Sequence, residues 1–500
     1  MAEREKKLSN GKKLEEELCL SFPNIAKEAP GQIAEAEKFA EGYKDFLARC
    51  KTERECAAYA EQALKAAGYE KFDHAKKYTA GDRVYEVNRG KSVLATVFGK
   101  RDIREGVRIN GAHIDSPRLD LKPNPLYEKD EIAYFKTHYY GGIRKYQWGT
   151  IPLAMHGVAV KKDLTKVEFN IGEDPGDPVF CISDLLPHLA AKQSQRPLSE
   201  GLRGEELNII LGSTPYPDGD VKEPFRLEVL RILNEKYGIT ERDFTRAEIE
   251  MVPADQPRDV GFDRSMIGAY GQDDRVCAYP ALMAQLQTED PEYTTVTVLT
   301  DKEEIGSVGN TGLHSNYVHD YITYLCENQG ADPKEVFANS ACLSADVNAA
   351  YDPTFPDVFE KKNASFLNHG VVLTKYTGAR GKSGSSDAGA EFMAKVIDIM
   401  DRAKVFWQIG ELGAVDAGGG GTIAQYVAMM NIDVVDLGVP VLSMHAPFEI
   451  TSKLDLYNTY LAFKAFYSDG KAEKEEKAPE KKKRGRRRKA EAQMKEGERT

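Results

Sequence analysis

The stretch TTVTVLTDKEE, residues 294–304, decides the reading of this chain: seven residues rich in β-branched side chains end abruptly on Asp301, Lys302, Glu303 and Glu304. A short apolar and β-branched run bounded by polar residues is the pattern of a buried strand. Three further runs have the same form. VRINGAHID (107–115) ends on His113 and Asp115, ACLSA (341–345) leads into Asp346, and DVVDLGVPVLSM (433–444) leads into His445. Between them lie amphipathic helical stretches, AYPALMAQLQ from Ala278, AEFMAKVIDIMDRA (390–403) and KLDLYNTYLAFKAFYSD (453–469). Alternation of this kind predicts an α/β sheet covered by helices. In such a sheet the carboxyl ends of neighbouring strands open on one crevice, so residues far apart in sequence can share a site.

Toward the N-terminus, residues 1–20 carry charge without an apolar period and read as a loosely held arm. From Gln32 a helix is expected with Ile33, Ala36, Ala40, Tyr43 and Leu47 on its inner face. A second follows Thr52 and stops at Gly68. Residues 117–262 are rich in Pro, Gly and Tyr, with β-type pieces and one amphipathic helix, FRLEVLRILNEKYG, and read as an insertion. The organisation is then catalytic domain 1–116, inserted domain 117–262, catalytic domain resumed 263–469, and a charged tail 470–500.

A length of 500 residues with 41% hydrophobic and 29% charged residues fits a globular protein of more than one domain. No run of eighteen apolar residues is present, so no membrane partner is expected. Seven scattered cysteines form no CxxC pair, as in a reducing cytoplasm. Residues 471–500 carry thirteen Lys/Arg against seven Asp/Glu, a local +6 within the total of −11, so the body carries −17. An acidic body argues against nucleic acid as a partner except through the tail.

The polar ends of these segments, with Asp273 in the DDR that follows a Gly-rich turn, contain what a two-metal hydrolytic site needs. Zinc takes imidazole nitrogen and carboxylate oxygen, and a pair of ions about 3.5 to 4 Å apart is readily bridged by one carboxylate. A further carboxylate that is not a ligand could take the proton of the attacking water. The pair Glu303 and Glu304 offers one of each. Asp115, two residues from His113 on the same strand face, is suited to orient that imidazole.

Five stretches in this order, NGAHIDSPRLDLKPNP, GAYGQDDRVCAYPAL, TDKEEIGSVGN, LSADVNAAYDPT and VPVLSMHAPFEI, resemble the aspartyl aminopeptidase family of zinc metallopeptidases over about residues 30–468. HYYGG (138–142), DLLPHLA (184–190) and GGGTIA (419–424) add to the resemblance. It implies a mixed-sheet dinuclear-zinc exopeptidase core interrupted by a β-rich dimerisation domain. It implies His113, Glu304, Asp346 and His445 as terminal ligands, Asp273 as bridge and Glu303 as general base, and leaves open which terminal groups share an ion. A cis peptide at Asp273–Asp274 is implied as well. The expected cofactors are two divalent ions, zinc first with cobalt or manganese as alternatives. The expected substrates are peptides losing their N-terminal residue, and the expected assembly is a dimer-based homo-oligomer up to a dodecamer. His188 is a candidate to reach a neighbouring subunit's site. This chain has Ala349 and Asp352 where the eukaryotic branch has histidines, and differs around Tyr146–Ile151. These departures weigh against an acidic N-terminal preference, and the sequence leaves the preferred residue open.

Other motifs read more plainly. GARGKS (378–383) lacks the Walker glycine, since position 376 is Tyr376, and is expected to be a turn. The glycine run before Thr422 is expected to shape a substrate pocket, with Gly420 and Thr422 as contacts. His138 and His156 are expected to be structural. Asp274 and Arg275 could orient Asp273 or pair with each other. A related dinuclear deacylase or carboxypeptidase, or a non-catalytic scaffold, are the competing functions.

Overall fold

The computed structural model describes residues 9–470, so the tail lies outside the described residues from 471 onward. A nine-stranded mixed sheet forms the centre. Its middle four strands, Thr295–Thr300, Arg108–His113, Ala341–Ser344 and Asp433–Gly438, lie side by side and parallel. They are buried almost throughout, because helices cover both faces. Val296, Val298 and Ile109 pack with helices Tyr317–Gln329 and Pro333–Asn339, whereas Leu299, Ala112 and Leu343 pack with Glu53–Ala66, Gln272–Leu286 and Lys453–Tyr467. Side-chain alternation along each strand feeds both layers. The α/β mixed-sheet class read from the sequence is the class found.

A second sheet of five strands, in the order Arg258–Val260, Met266–Ala269, Glu449–Ser452, Pro440–Leu442 and Asn348–Ala349, stands beside the carboxyl ends of the first. Here the structure departs from the sequence reading. DVVDLGVPVLSM is two strands in two sheets, Asp433–Gly438 and Pro440–Leu442, and His445 follows the second. The break falls at Gly438, whose backbone lies so close to Asp346 that a Cβ would come within 1.7 Å of its carbonyl oxygen.

Within residues 118–253 an antiparallel sheet runs in the order Lys166–Ile171, Leu153–Val160, Ala247–Pro253, Arg118–Lys129, Ile132–Tyr140 and Asn208–Gly212. It has its own apolar cluster around Trp148, Phe135, Leu153 and Met251. The helix Pro224–Tyr237 begins on its proline and ends at Gly238 with φ +65°, a left-handed cap that glycine allows.

Three helix expectations are corrected. The arm is helical at Asn10–Leu18, started by the Ser9 side chain accepting from the Lys12 amide, yet it buries nothing. Ile33 is 39% exposed, because the first turn of Gln32–Arg49 overhangs the core that Ala36, Ala40, Tyr43 and Leu47 enter. The helix expected from Ala278 already begins at Gln272, with Asp273 and Asp274 out of helical geometry and joined by a cis peptide. The turn at Thr52 is as expected, since its side chain accepts from the Glu55 amide and Glu55 accepts from the Thr52 amide.

Candidate metal centre

His113 is the last residue of its strand, and its Nε2 lies 3.1 Å from Asp273 Oδ1 and 3.7 Å from Asp346 Oδ1. On the other side of Asp273, His445 Nε2 lies 3.1 Å from Oδ2 and 3.6 Å from Glu304 Oε2. His113, Asp273 and Asp346 thus form one group able to hold a cation, and Asp273, Glu304 and His445 form another. The two groups share Asp273 through its separate oxygens. Three ligand-bearing segments come from carboxyl ends of the central parallel strands. Asp273 comes from the irregular start of the helix Gln272–Leu286, just after Met266–Ala269, and His445 from the loop between Pro440–Leu442 and Glu449–Ser452.

Each imidazole is fixed through its second nitrogen. His113 Nδ1 donates to the Asp115 carbonyl at 3.0 Å, with the Asp115 carboxylate 3.3 Å away, and His445 Nδ1 donates to the Gly142 carbonyl at 2.8 Å. A proton held at Nδ1 leaves Nε2 free for a cation. Asp115 does more than expected. Its Oδ1 accepts from the Glu303 amide at 3.1 Å and its Oδ2 from the Glu304 amide at 3.2 Å, which fixes the short turn Glu303–Ile305. Tyr140 donates to Oδ2 at 2.8 Å and lies under the Arg118 guanidinium.

Burial shapes the charges of the cluster. It drives the Glu304 and Asp346 carboxyls up, with Asp273 adding to the effect at Glu304, and pushes Glu303 up to about 8 with help from Asp346. At Asp273 the hydrogen bonds to His113 and His445 overcome burial and hold the carboxyl well below its usual range. Four carboxyl groups and two imidazoles therefore share a buried space that protons alone neutralise poorly, and Glu304 Oε1 is buried without a partner. The donor set and this surplus of negative charge fit divalent cations.

Glu303 stands outside both donor groups but lines the same cavity of about 430 Å³. Gly142, Asn348, Leu412, Gly420, Thr422, Tyr426 and Met444 also line it, so both pocket residues expected from the glycine run are there. Thr422 donates to Asp436 at 2.7 Å. His188 is exposed and does not line this chain's cavity. His138 is likewise exposed and away from the cluster, and His156 bonds Glu55 at 2.8 Å. Asp274 and Arg275 do not pair: Arg275 donates to the carbonyls of Lys51 and Gly271, while the buried Asp274 carboxyl faces the Cys277 thiol.

Sequence reasoning missed Glu449, buried beneath the cluster, and Gly141 and Gly142, against which Glu304 and His445 pack. The former follows His445 by four residues in HAPFE, a carboxylate in an otherwise apolar strand entrance, and that was the available signal.

A mixed α/β core that gathers histidines and carboxylates into a cation-ready cavity defines a metallohydrolase class. A family model described as aminopeptidase I zinc metalloprotease (M18) matches residues 46–467. The probable M18 family aminopeptidase 1 of Clostridium acetobutylicum is 48% identical over 446 residues, covering 88% of this chain and 96% of the relative. The crystal structure of the M18 aminopeptidase from Thermotoga maritima superposes with a TM-score of 0.87 at 46% identity, covering 90% of this chain and 99% of that one. The mApe1 dodecamer of S. cerevisiae shares the fold at 21% identity, with a TM-score of 0.70 over 88% of this chain and 97% of its own. The chain belongs to the M18 family of zinc aminopeptidases.

Proposed function

We propose that His113, Asp273 and Asp346 would hold one cation of this aminopeptidase and that Asp273, Glu304 and His445 would hold a second, with Glu303 as the base. The observation that carries this reading is the division of labour at Asp273, whose two oxygens face two different imidazoles while Glu303 stays outside both groups. Bound zinc would supply Lewis acidity toward the scissile carbonyl and would acidify the attacking water. Glu303 takes that water's proton and returns it to the departing amine. Asp115 holds Glu303 in place through its amide, and the walls from Leu412 to Tyr426 receive the N-terminal side chain.

Among the described residues no lysine or arginine lines the cavity, whereas Asp436 and the cluster carboxylates do. Neutral N-terminal residues are accordingly the proposed substrates. Glu303→Gln should lower kcat by at least about 10³-fold with zinc content unchanged. The wild type should cleave leucyl faster than glutamyl p-nitroanilide and leave N-acetylated peptides intact. Ordinary turnover by the variant removes the base assignment, and cleavage of blocked peptides favours a deacylase instead.

We further propose a homo-oligomer built through the 117–262 segment, where Val179, Leu185, Leu186, Leu189 and Leu198 are exposed around His188. The dodecameric relative of the same fold supports this. A cytoplasmic location suits the unpaired cysteines, of which Cys50, Cys56, Cys277, Cys326 and Cys342 are buried. Among the described residues no helix is long and apolar enough to cross a membrane. Seven titratable thiols in denatured protein purified without reductant are the expected count.

A further inference from the structure

The loop that carries His445 is held in an unusual way. Ser443 and His445 both have positive φ, +57° and +63°, a conformation that costs a non-glycine residue and persists where its surroundings fix it. The Glu449 carboxylate supplies much of that fixing. It is 1% exposed and begins the strand Glu449–Ser452, which pairs with Met266–Ala269 through Ala269 opposite Glu449. Oε1 accepts the His445 amide at 2.7 Å. Oε2 accepts the amides of Gln272 at 2.6 Å and Asp273 at 3.2 Å. The Gln272 side chain closes the arrangement by donating to the carbonyls of Glu449 and Ile267.

One buried carboxylate therefore accepts hydrogen bonds from the main chain of two of the three residues in the Asp273, Glu304 and His445 group. It does not itself line the cavity and meets Asp273 and His445 at their amides, so it acts through the backbone. We propose that Glu449 is a positioning residue that sets the spacing of Asp273 and His445, and so governs chiefly the cation of that group, which it reaches through two ligands, while it reaches the one facing His113 and Asp346 through the shared Asp273 alone. The chemistry demands a carboxylate. Three N–H groups converge on two oxygens, and a glutamine would turn an NH₂ toward one of them. Aspartate keeps the charge but is one methylene too short to reach both loops. His113 is held separately through the Asp115 carbonyl, which is why the larger effect falls on the His445 side.

The inference rests on the two-cation reading, and the test separates the two. Full-length wild-type holoenzyme and Glu449→Gln are equilibrated in graded zinc buffers, and bound zinc is counted per chain alongside the melting temperature. The wild type should retain two equivalents. The variant should give up one equivalent at free zinc about 10- to 100-fold higher than the wild type does, the usual effect of removing a partner behind a ligand. Its second equivalent should shift far less, and its fold should remain intact. Identical zinc curves, or parallel loss of both equivalents, overturn the role of Glu449. A wild type that holds fewer than two equivalents overturns the two-cation reading and this inference with it. Should Glu449→Gln not fold, Glu449→Asp carries the same test with the same expected selective loss.

Discussion

Gly438→Ala offers a direct measure of how tightly the fold sets Asp346. The added Cβ would lie 1.7 Å from the Asp346 carbonyl oxygen and 2.6 Å from its carbonyl carbon. Both are backbone atoms, so no rotamer relieves the clash. Real Cβ contacts stay above 3.0 Å, so the two segments must part by at least 1.3 Å. A misplacement of about 1 Å at a reacting group costs on the order of 10²-fold in rate, or about 3 kcal/mol of barrier. Overpacking adds roughly 1 to 3 kcal/mol of destabilisation, which a chain of this size tolerates as a modest fall in melting temperature. The assay is kcat/KM on leucyl p-nitroanilide together with zinc content, with Gly176→Ala, which has open space at its Cβ, as control. The expected result is a roughly 10²-fold loss for Gly438→Ala and none for the control. Wild-type kcat/KM and full zinc content in Gly438→Ala would refute the claim that this contact fixes Asp346.

His156, on the sheet of residues 118–253, bonds Glu55 in the first turn of the helix Glu53–Ala66 and lies 3.7 Å from Glu173. Burial lowers its pKa, but the Glu173 and Glu55 carboxylates outweigh this and raise it to about 9. A histidine whose folded pKa exceeds its unfolded value of about 6.5 stabilises fully below that value and loses the contribution as pH rises through about 9, with an upper bound of about 3 kcal/mol. The urea-stability gap between wild type and His156→Gln should shrink between pH 6.5 and 9.5, and a constant gap would count against the ion pairs. For assembly, light scattering should give a mass several times the 55.6 kDa of one chain, and Leu185→Glu with Leu189→Glu should reduce it. A monomeric wild type would rule out the proposed contact.

The candidate site was largely legible because its parts sit where apolar runs stop. TTVTVLT, ACLSA and VRINGA announce buried strands, and polar residues at the ends of such strands have few structural reasons to be there. What stayed hidden travels through the backbone. Asp115 was read as a partner of the His113 ring, yet its carboxylate chiefly receives the amides of Glu303 and Glu304. Glu449 works the same way on Asp273 and His445, and no residue pattern reports which amides a carboxylate will meet. The passage of DVVDLGVPVLSM from one sheet to another was hidden too, because Gly438 is needed for a contact with a segment ninety positions earlier. Ile33 satisfies helical periodicity, but periodicity does not tell where a core ends.

The carbonyl of Gly142 has a consequence for anyone seeking a smaller enzyme. Residues 118–253 can look like a detachable module, having a sheet and an apolar interior of their own. Yet just beyond its strand Ile132–Tyr140 the chain reaches back and receives the His445 ring proton, while Gly141 leaves just enough room for Glu304. Excising the module and joining its ends would leave the His445 imidazole free to rotate and its ring nitrogens interchangeable. A minimised variant would have to keep Tyr140, Gly141 and Gly142 in place, and they are better regarded as part of the catalytic half that happens to be encoded in the other.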